Sequence, residues 1–337
     1  MDVMNVRRLI PATAVAGAAA LGLTALSACS SSDAAGPGSD GKLDVVASFY
    51  PMQFLAEEIG GSHVSVTTLT KPGVEPHDLE LSPRQTGSLS DADYILFLKG
   101  VQPAVDDAVD QAGVEHTVDA AELTTLESHG AEVGGHDHGH GEEGHSEEEH
   151  AEEEHAEEEH SHEGGTDPHI WLDPVKYAEV AEGVGKSLEK ADPDHAADYR
   201  ANTEALVGKL NTLDSAYEAG LKDTATKTFI TTHSAFGYLA ERYGLTQEGI
   251  AGLDPEAEPS PARISEIHGV AEESGATTVF FETLASDRTA KTLAKDLGLE
   301  TDVLDPLEGI TDTSEGADYL EVMESNLAAL QKALGAK

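Results

Sequence analysis

Short runs rich in Val, Ile, Leu and Phe recur along the chain, and most are followed by a longer segment with apolar positions at helical spacing. LDVVASFY (43–50), HVSVTTLT (63–70), ADYILFLKG (92–100) and EHTVDA (115–120) predict strands. Between them, PMQFLAEEIGG, the segment opened by Ser82-Pro83, and VQPAVDDAVDQAG predict helices. Further on, residues 173–190 read as a helix, and Asp192-Pro193 opens a longer one that runs to about Leu221. Its apolar positions Tyr199, Leu206, Leu210, Leu213, Tyr217 and Leu221 form one continuous stripe, about 40 Å long at about 1.5 Å per residue. The alternation then resumes. TKTFITTHS, LTQEGIAGL, ATTVFFE and ETDVLDPLEG predict strands, with helices between them and a C-terminal helix over about 314–334. Strands alternating with helices predict an α/β fold: two lobes, each a mainly parallel sheet flanked by helices, joined by one long helix.

The pattern breaks between His129 and Gly165. This stretch holds nine of the sixteen histidines within 129–162, many carboxylates and no Lys or Arg. It lacks the apolar surface that would offset ordering, so it predicts a disordered, solvated loop. Neutral imidazole suits zinc, copper and nickel, which makes His136, His138, His140, His145, His150, His155, His160 and His162 candidate accessory metal ligands. His145, His150, His155 and His160 recur every five residues. On an α-helix each step turns about 140°, so they share no face and predict weak, adaptable binding rather than a preorganised site.

The N-terminus carries Arg7 and Arg8, then an apolar run from Ile10 to Ala25 that ends in Leu26-Ser27-Ala28-Cys29. The run is short for a membrane span and has the form of a signal-peptide core. Leu26-Ser27-Ala28-Cys29 resembles the lipobox of bacterial lipoproteins, which implies cleavage before Cys29 and lipidation of its thiol. Cys29 is the only cysteine, so no internal disulfide is expected in an exported chain. The formal net charge is −44, of which residues 127–165 supply fifteen acidic groups. So acidic a chain is a poor partner for nucleic acid and suits cationic ligands.

Three of the remaining histidines sit in loops near the ends of predicted strand segments: His77 in GVEPHDLELSP, His169 in DPHIWLDP and His233 in TTHSAFGYLA. In open α/β sheets, ligands gather outside the carboxyl ends of strands. These three imidazoles and Asp305, at the end of the strand in VLDPLEG, predict a tetrahedral site that suits zinc. No HExxH motif is present, and no catalytic residue is assigned. Trp171 reads as core packing, Asp173 as a helix cap, and Glu282 as a neighbour of the cleft rather than a ligand.

PHDLELSP, the His-rich insertion, DPHIWLDP, THSAFGYLA, GLDPEAEPSP, VFFET and LDPLEG, in this order, resemble the zinc/manganese-binding family of ABC-importer solute-binding proteins. The resemblance covers about 43–334 and implies a metal held between the two lobes. It carries the ligand role to His77, His169, His233 and Asp305. Zinc-binding members have a histidine where this chain has His233, and manganese-binding members generally have a carboxylate. Some zinc receptors place a Glu directly before the first histidine. Here Pro76 stands there and Glu75 one residue further back, which leaves Asp305 or a water as the fourth ligand.

The implied organisation is a signal peptide (1–28), a lipid-anchored tether (29–41) and an N-terminal lobe (42–128). The His/Glu-rich loop (129–165), the end of the first lobe (166–191), the connecting helix (192–223) and the C-terminal lobe (224–337) follow. The implied function is an extracytoplasmic, membrane-anchored monomeric receptor, not an enzyme, that captures Zn2+ and passes it to an ABC permease. Mn2+ uptake and a surface metal-buffering or adhesive role are the alternatives.

Overall fold

The computed structural model describes residues 41–129, 166–285 and 287–337. The signal segment, Cys29 and the accessory histidines from His136 to His162 lie outside the described residues. The first sheet holds β1 (Leu43–Ala47), β2 (Val64–Thr68), β3 (Tyr94–Phe97) and β4 (His116–Asp119). The second holds β5 (Thr228–Thr231), β6 (Thr246–Gly249), β7 (Thr278–Phe281) and β8 (Glu300–Val303). The strand orders are β2-β1-β3-β4 and β6-β5-β7-β8, and every pairing is parallel. In both sheets the second strand in sequence lies outside the first. The order therefore reverses between β1 and β3 and between β5 and β7, where ligand crevices form in such sheets.

Helices α1 (Tyr50–Gly60), α2 (Pro83–Asp91), α3 (Pro103–Ala112) and α4 (Pro174–Ala191) accompany the first sheet. Helix α5 (Ala196–Leu221) connects the lobes, and α6 (Gly237–Arg242), α7 (Pro261–Ser274), α8 (Arg288–Leu297) and α9 (Tyr319–Leu334) follow. Local chemistry sets several starts. Ser82 and Gln85 form a reciprocal capping box ahead of α2. Asp173 accepts from the backbone N–H of Val175 and Lys176 at the start of α4.

The apolar stripe of α5 is buried throughout, with Tyr199, Leu206, Leu210, Leu213, Tyr217 and Leu221 facing one hydrophobic core. That core runs from Phe49 and Leu55 in the first lobe through α5 to Phe229, Met323 and Leu330 in the second. The two lobes therefore share one close-packed core through α5. Tyr217 also donates to the Met323 carbonyl oxygen at 2.7 Å, so α5 and α9 are joined by a buried hydrogen bond as well.

Three boundaries differ from the sequence expectation. The first strand stops at Ala47, because Pro51 sits in the first turn of α1 and the chain is already helical from Tyr50. The long helix begins at Ala196 after a 3-10 turn at Pro193–His195. The last helix begins at Tyr319 rather than near residue 314. Asp318 caps it by accepting from Glu321 N–H, and Gly316 packs against the backbone at Val322 in the preceding bend.

Candidate metal centre

The loops that leave β2, β5 and β8 meet the loop ahead of α4. His77 follows β2, His233 follows β5, and His169 precedes the 3-10 turn Ile170–Leu172. The structure brings these three imidazoles together with Glu308, with one candidate ligand atom of each residue within 4.8 Å of the others. Glu308 Oε1 lies 3.3 Å from His77 Nε2, 3.4 Å from His169 Nε2 and 3.3 Å from His233 Nε2. His169, His233 and Glu308 are fully or almost fully buried, and His77 is the group nearest solvent.

Two of the rings are oriented from behind. His169 Nδ1 lies 2.7 Å from Asp167 Oδ1, and His233 Nδ1 lies 2.9 Å from Glu282 Oε1. When each Nδ1–H donates to its carboxylate, Nε2 is the atom left to present a lone pair to a metal at the common centre. This carboxylate–histidine arrangement fixes both the tautomer and the orientation of a metal-binding ring. Glu282 is held in turn by Thr232, whose hydroxyl donates to its Oε1 at 2.7 Å.

The electrostatics fit a cation. Burial pushes the His169 imidazole down, but the hydrogen bond to Asp167 and the nearby Glu308 carboxylate outweigh it and hold the ring above its usual range. Burial also disfavours the charged form of His233, and the Glu282 and Glu308 carboxylates override it strongly. Glu308 is pushed up by burial, yet His169, His233 and His77 together hold it well below the usual carboxylate range. Beside it, burial and the charge of Glu308 push Glu75 up to about 9, so Glu75 is a neutral carboxyl at pH 7. Its Oε1 accepts from the His77 backbone N–H at 3.2 Å, which props the His77 loop. The Nε2 atoms of His169 and His233 and Oε2 of Glu308 are buried without a hydrogen-bond partner among the described residues. Unpaired buried polar atoms are costly unless something satisfies them. Three imidazole nitrogens and one carboxylate are a donor set for zinc.

Asp305 does not join this group, which corrects the expectation for the fourth position. Its Oδ1 accepts from Leu307 N–H at 2.8 Å and its Oδ2 from the Thr283 hydroxyl at 3.0 Å. Asn326 on α9 clasps its backbone on both sides, accepting from Asp305 N–H and donating to its carbonyl oxygen. Asp305 therefore builds the turn. Leu307 adopts the left-handed region at φ 58, and the chain reverses so that Glu308 enters the cleft. Trp171 pins the same turn by donating from Nε1 to the Pro306 carbonyl oxygen at 2.7 Å.

A second group lies on the lobe boundary. Glu127, His129 and Glu241 also place candidate ligand atoms within 4.8 Å of one another. Composition alone had merged His129 with the acidic stretch that follows it.

Two α/β lobes are thus joined through one long helix, and side chains from both meet at the strand ends. The family model described as "Zinc-uptake complex component A periplasmic" (ZnuA) matches residues 45–333, and the chain belongs to this family. It is 37% identical over 299 residues to the zinc-binding lipoprotein AdcA of Streptococcus pneumoniae, covering 87% of this chain and 56% of the relative. The chain thus spans little more than half the length of the AdcA relatives it matches. It is 36% identical over 295 residues to the high-affinity zinc uptake system protein ZnuA of Bacillus subtilis, covering 87% of this chain and 88% of that one. Among solved structures, it is similar to the Zn(II)-bound ZnuA-like domain of S. pneumoniae AdcA, with a TM-score of 0.68, 33% identity, and coverage of 87% and 99%. It is also similar to the laminin-binding protein Lmb of Streptococcus agalactiae, with a TM-score of 0.71, 28% identity, and the same coverage.

Proposed function

We propose that the chain is an extracytoplasmic zinc receptor that captures Zn2+ between its lobes and delivers it to an ABC permease. In this reading it binds and releases its cargo without chemical turnover. His77, His169, His233 and Glu308 are the ligands, and Asp167 and Glu282 orient two of the rings. The observation that carries this reading is the convergence of three Nε2 atoms on one buried carboxylate, with two of those nitrogens otherwise unpaired. Three nitrogen donors favour zinc over Mn2+, which prefers oxygen. The AdcA and ZnuA relatives named for zinc support the same cargo. Lipidation at Cys29 would anchor the receptor at the outer face of the membrane. The acidic, histidine-rich stretch would add weak, multisite zinc capture, so its deletion should remove weak sites and leave the tight one.

The test is metal analysis and calorimetry of the purified mature protein beside its His233→Ala variant. One tight zinc equivalent should be present in the first and absent from the second. Unchanged tight binding in the variant would sink the assignment.

A further inference from the structure

The second cluster has the elements of a metal site in its own right. His129 Nδ1 lies 3.1 Å from Asp167 Oδ2, and His129 Nε2 lies 2.7 Å from Glu241 Oε2. Asp167 is fully buried, and its other oxygen holds His169 Nδ1 at 2.7 Å. One carboxylate therefore orients two imidazoles, and each turns its Nε2 toward an acidic group: His169 toward Glu308, His129 toward Glu241. The first of these rings lies in the cleft. The second faces outward, with Glu127 as a further carboxylate within reach.

The approach is close. Gly237, at the start of α6, stands where a Cβ would come within 2.3 Å of His129 Cβ and 2.9 Å of Asp167 Oδ2. Any side chain there would push His129 off Asp167. The ring is also held edge-on by Tyr238, with centroids 4.5 Å apart, and the Tyr238 hydroxyl accepts from Glu127 N–H at 2.8 Å. Glu127 and His129 come from the segment that closes the first lobe, whereas Glu241 comes from α6 of the second.

We propose that Glu127, His129 and Glu241 form a second zinc site at the lobe boundary, linked to the cleft through Asp167. Once zinc takes the place of the Nε2 proton that Glu241 now holds, the two carboxylates and the imidazole carry a formal charge of −2, which a divalent cation neutralises. The imidazole makes a borderline ion such as zinc a better match than Mg2+ or Ca2+. Lys176 opposes it: its ammonium donates to Glu127 Oε1 at 2.7 Å and must share or yield that oxygen. Glu241 is mostly exposed as well. Both features make the site weaker than the buried cleft. A cation bound there bridges the two lobes and, by drawing on the ring that shares Asp167, alters how firmly His169 is held.

Histidine-labelled full-length mature protein, titrated with zinc and followed by 15N NMR, tests this directly. The His129→Asn variant assigns the His129 resonances. The His129 Nε2 signal should shift as zinc ligation replaces its proton, at zinc levels above those that fill the cleft. Glu241→Gln should move that response to roughly tenfold higher zinc or more while the cleft histidines respond as before. Crystals grown with excess zinc should show anomalous density beside His129 Nε2. The proposal is overturned if His129 Nε2 stays unshifted at zinc that saturates every other histidine, or if Glu241→Gln leaves its response in place. A His129 response without any response from His77, His169 and His233 would uphold this site and refute the cleft reading instead.

Discussion

Replacing Glu308 by Gln removes the one anionic oxygen that three imidazoles share and keeps the volume of the side chain. Glu308 is fully buried, so water does not take its place. Loss of a carboxylate that only orients a ligand weakens metal binding by about 10–100-fold, so loss of a ligating one should reach about 100-fold or more. Zinc at about 1,000 times its Kd stabilises a folded protein by about 4.1 kcal/mol, and the same zinc concentration leaves about 1.4 kcal/mol after a 100-fold loss of affinity. At about 2–4 °C per kcal/mol, the zinc-induced rise in Tm should fall from about 8–16 °C to about 3–6 °C. Asp305→Asn provides the contrast. Its carboxylate holds the turn at Leu307 through Leu307 N–H and Thr283, so the change should lower the Tm of the metal-free protein, by about 1–3 kcal/mol of stability. The zinc-induced rise should survive. Calorimetric melts of each variant with and without zinc separate the two effects. If Asp305→Asn abolishes the zinc-induced rise while Glu308→Gln keeps it, the geometric assignment of the fourth ligand is wrong.

Three further outcomes follow from the same geometry. Glu282→Ala removes the acceptor behind His233 Nδ1 and should weaken zinc binding by about 10–100-fold, so a Kd within twofold of the parent would dismiss the orienting role. Neighbouring carboxylates raise His169, and His233 more strongly, in the metal-free protein, so zinc competes with protons for these rings. Affinity should therefore begin to fall at a higher pH than the titration of a free imidazole would give, and calorimetry in buffers of different ionisation enthalpy should show proton release on zinc binding. Absence of proton release at pH 7 would contradict those shifts. Leu210→Ala on α5 opens a hole in the core shared by both lobes and should destabilise the protein by about 2–5 kcal/mol in denaturant melts, with the zinc stoichiometry unchanged.

How far the sequence could be read depended on whether a residue's role was set locally. The α5 stripe was legible because burial on one helix face leaves a period in the sequence, and all six residues of that stripe are buried. The three cleft histidines were legible because each lies in a polar loop near an apolar run, and topology places such loops at one end of a parallel sheet. Glu308 was not. Both Asp305 and Glu308 follow β8, and which of them faces the cleft is settled by Asn326, 21 residues away on α9, which clasps Asp305 from both sides. A side chain gripped through its backbone by a distant helix leaves no periodic trace. The same holds for Asp167. It precedes His169 by two residues and looks like an ordinary acid before a proline, yet in the fold it faces two imidazoles at once. His129 was obscured for the opposite reason. The composition of the stretch after it was so strong that it absorbed a residue whose partners, Asp167 and Glu241, belong to the ordered lobes. Patterns in sequence report which surfaces are buried. Where one carboxylate is chosen over its neighbour, the choice is made by contacts between elements far apart in the chain, and here those contacts turn Glu308 rather than Asp305 toward the three imidazoles.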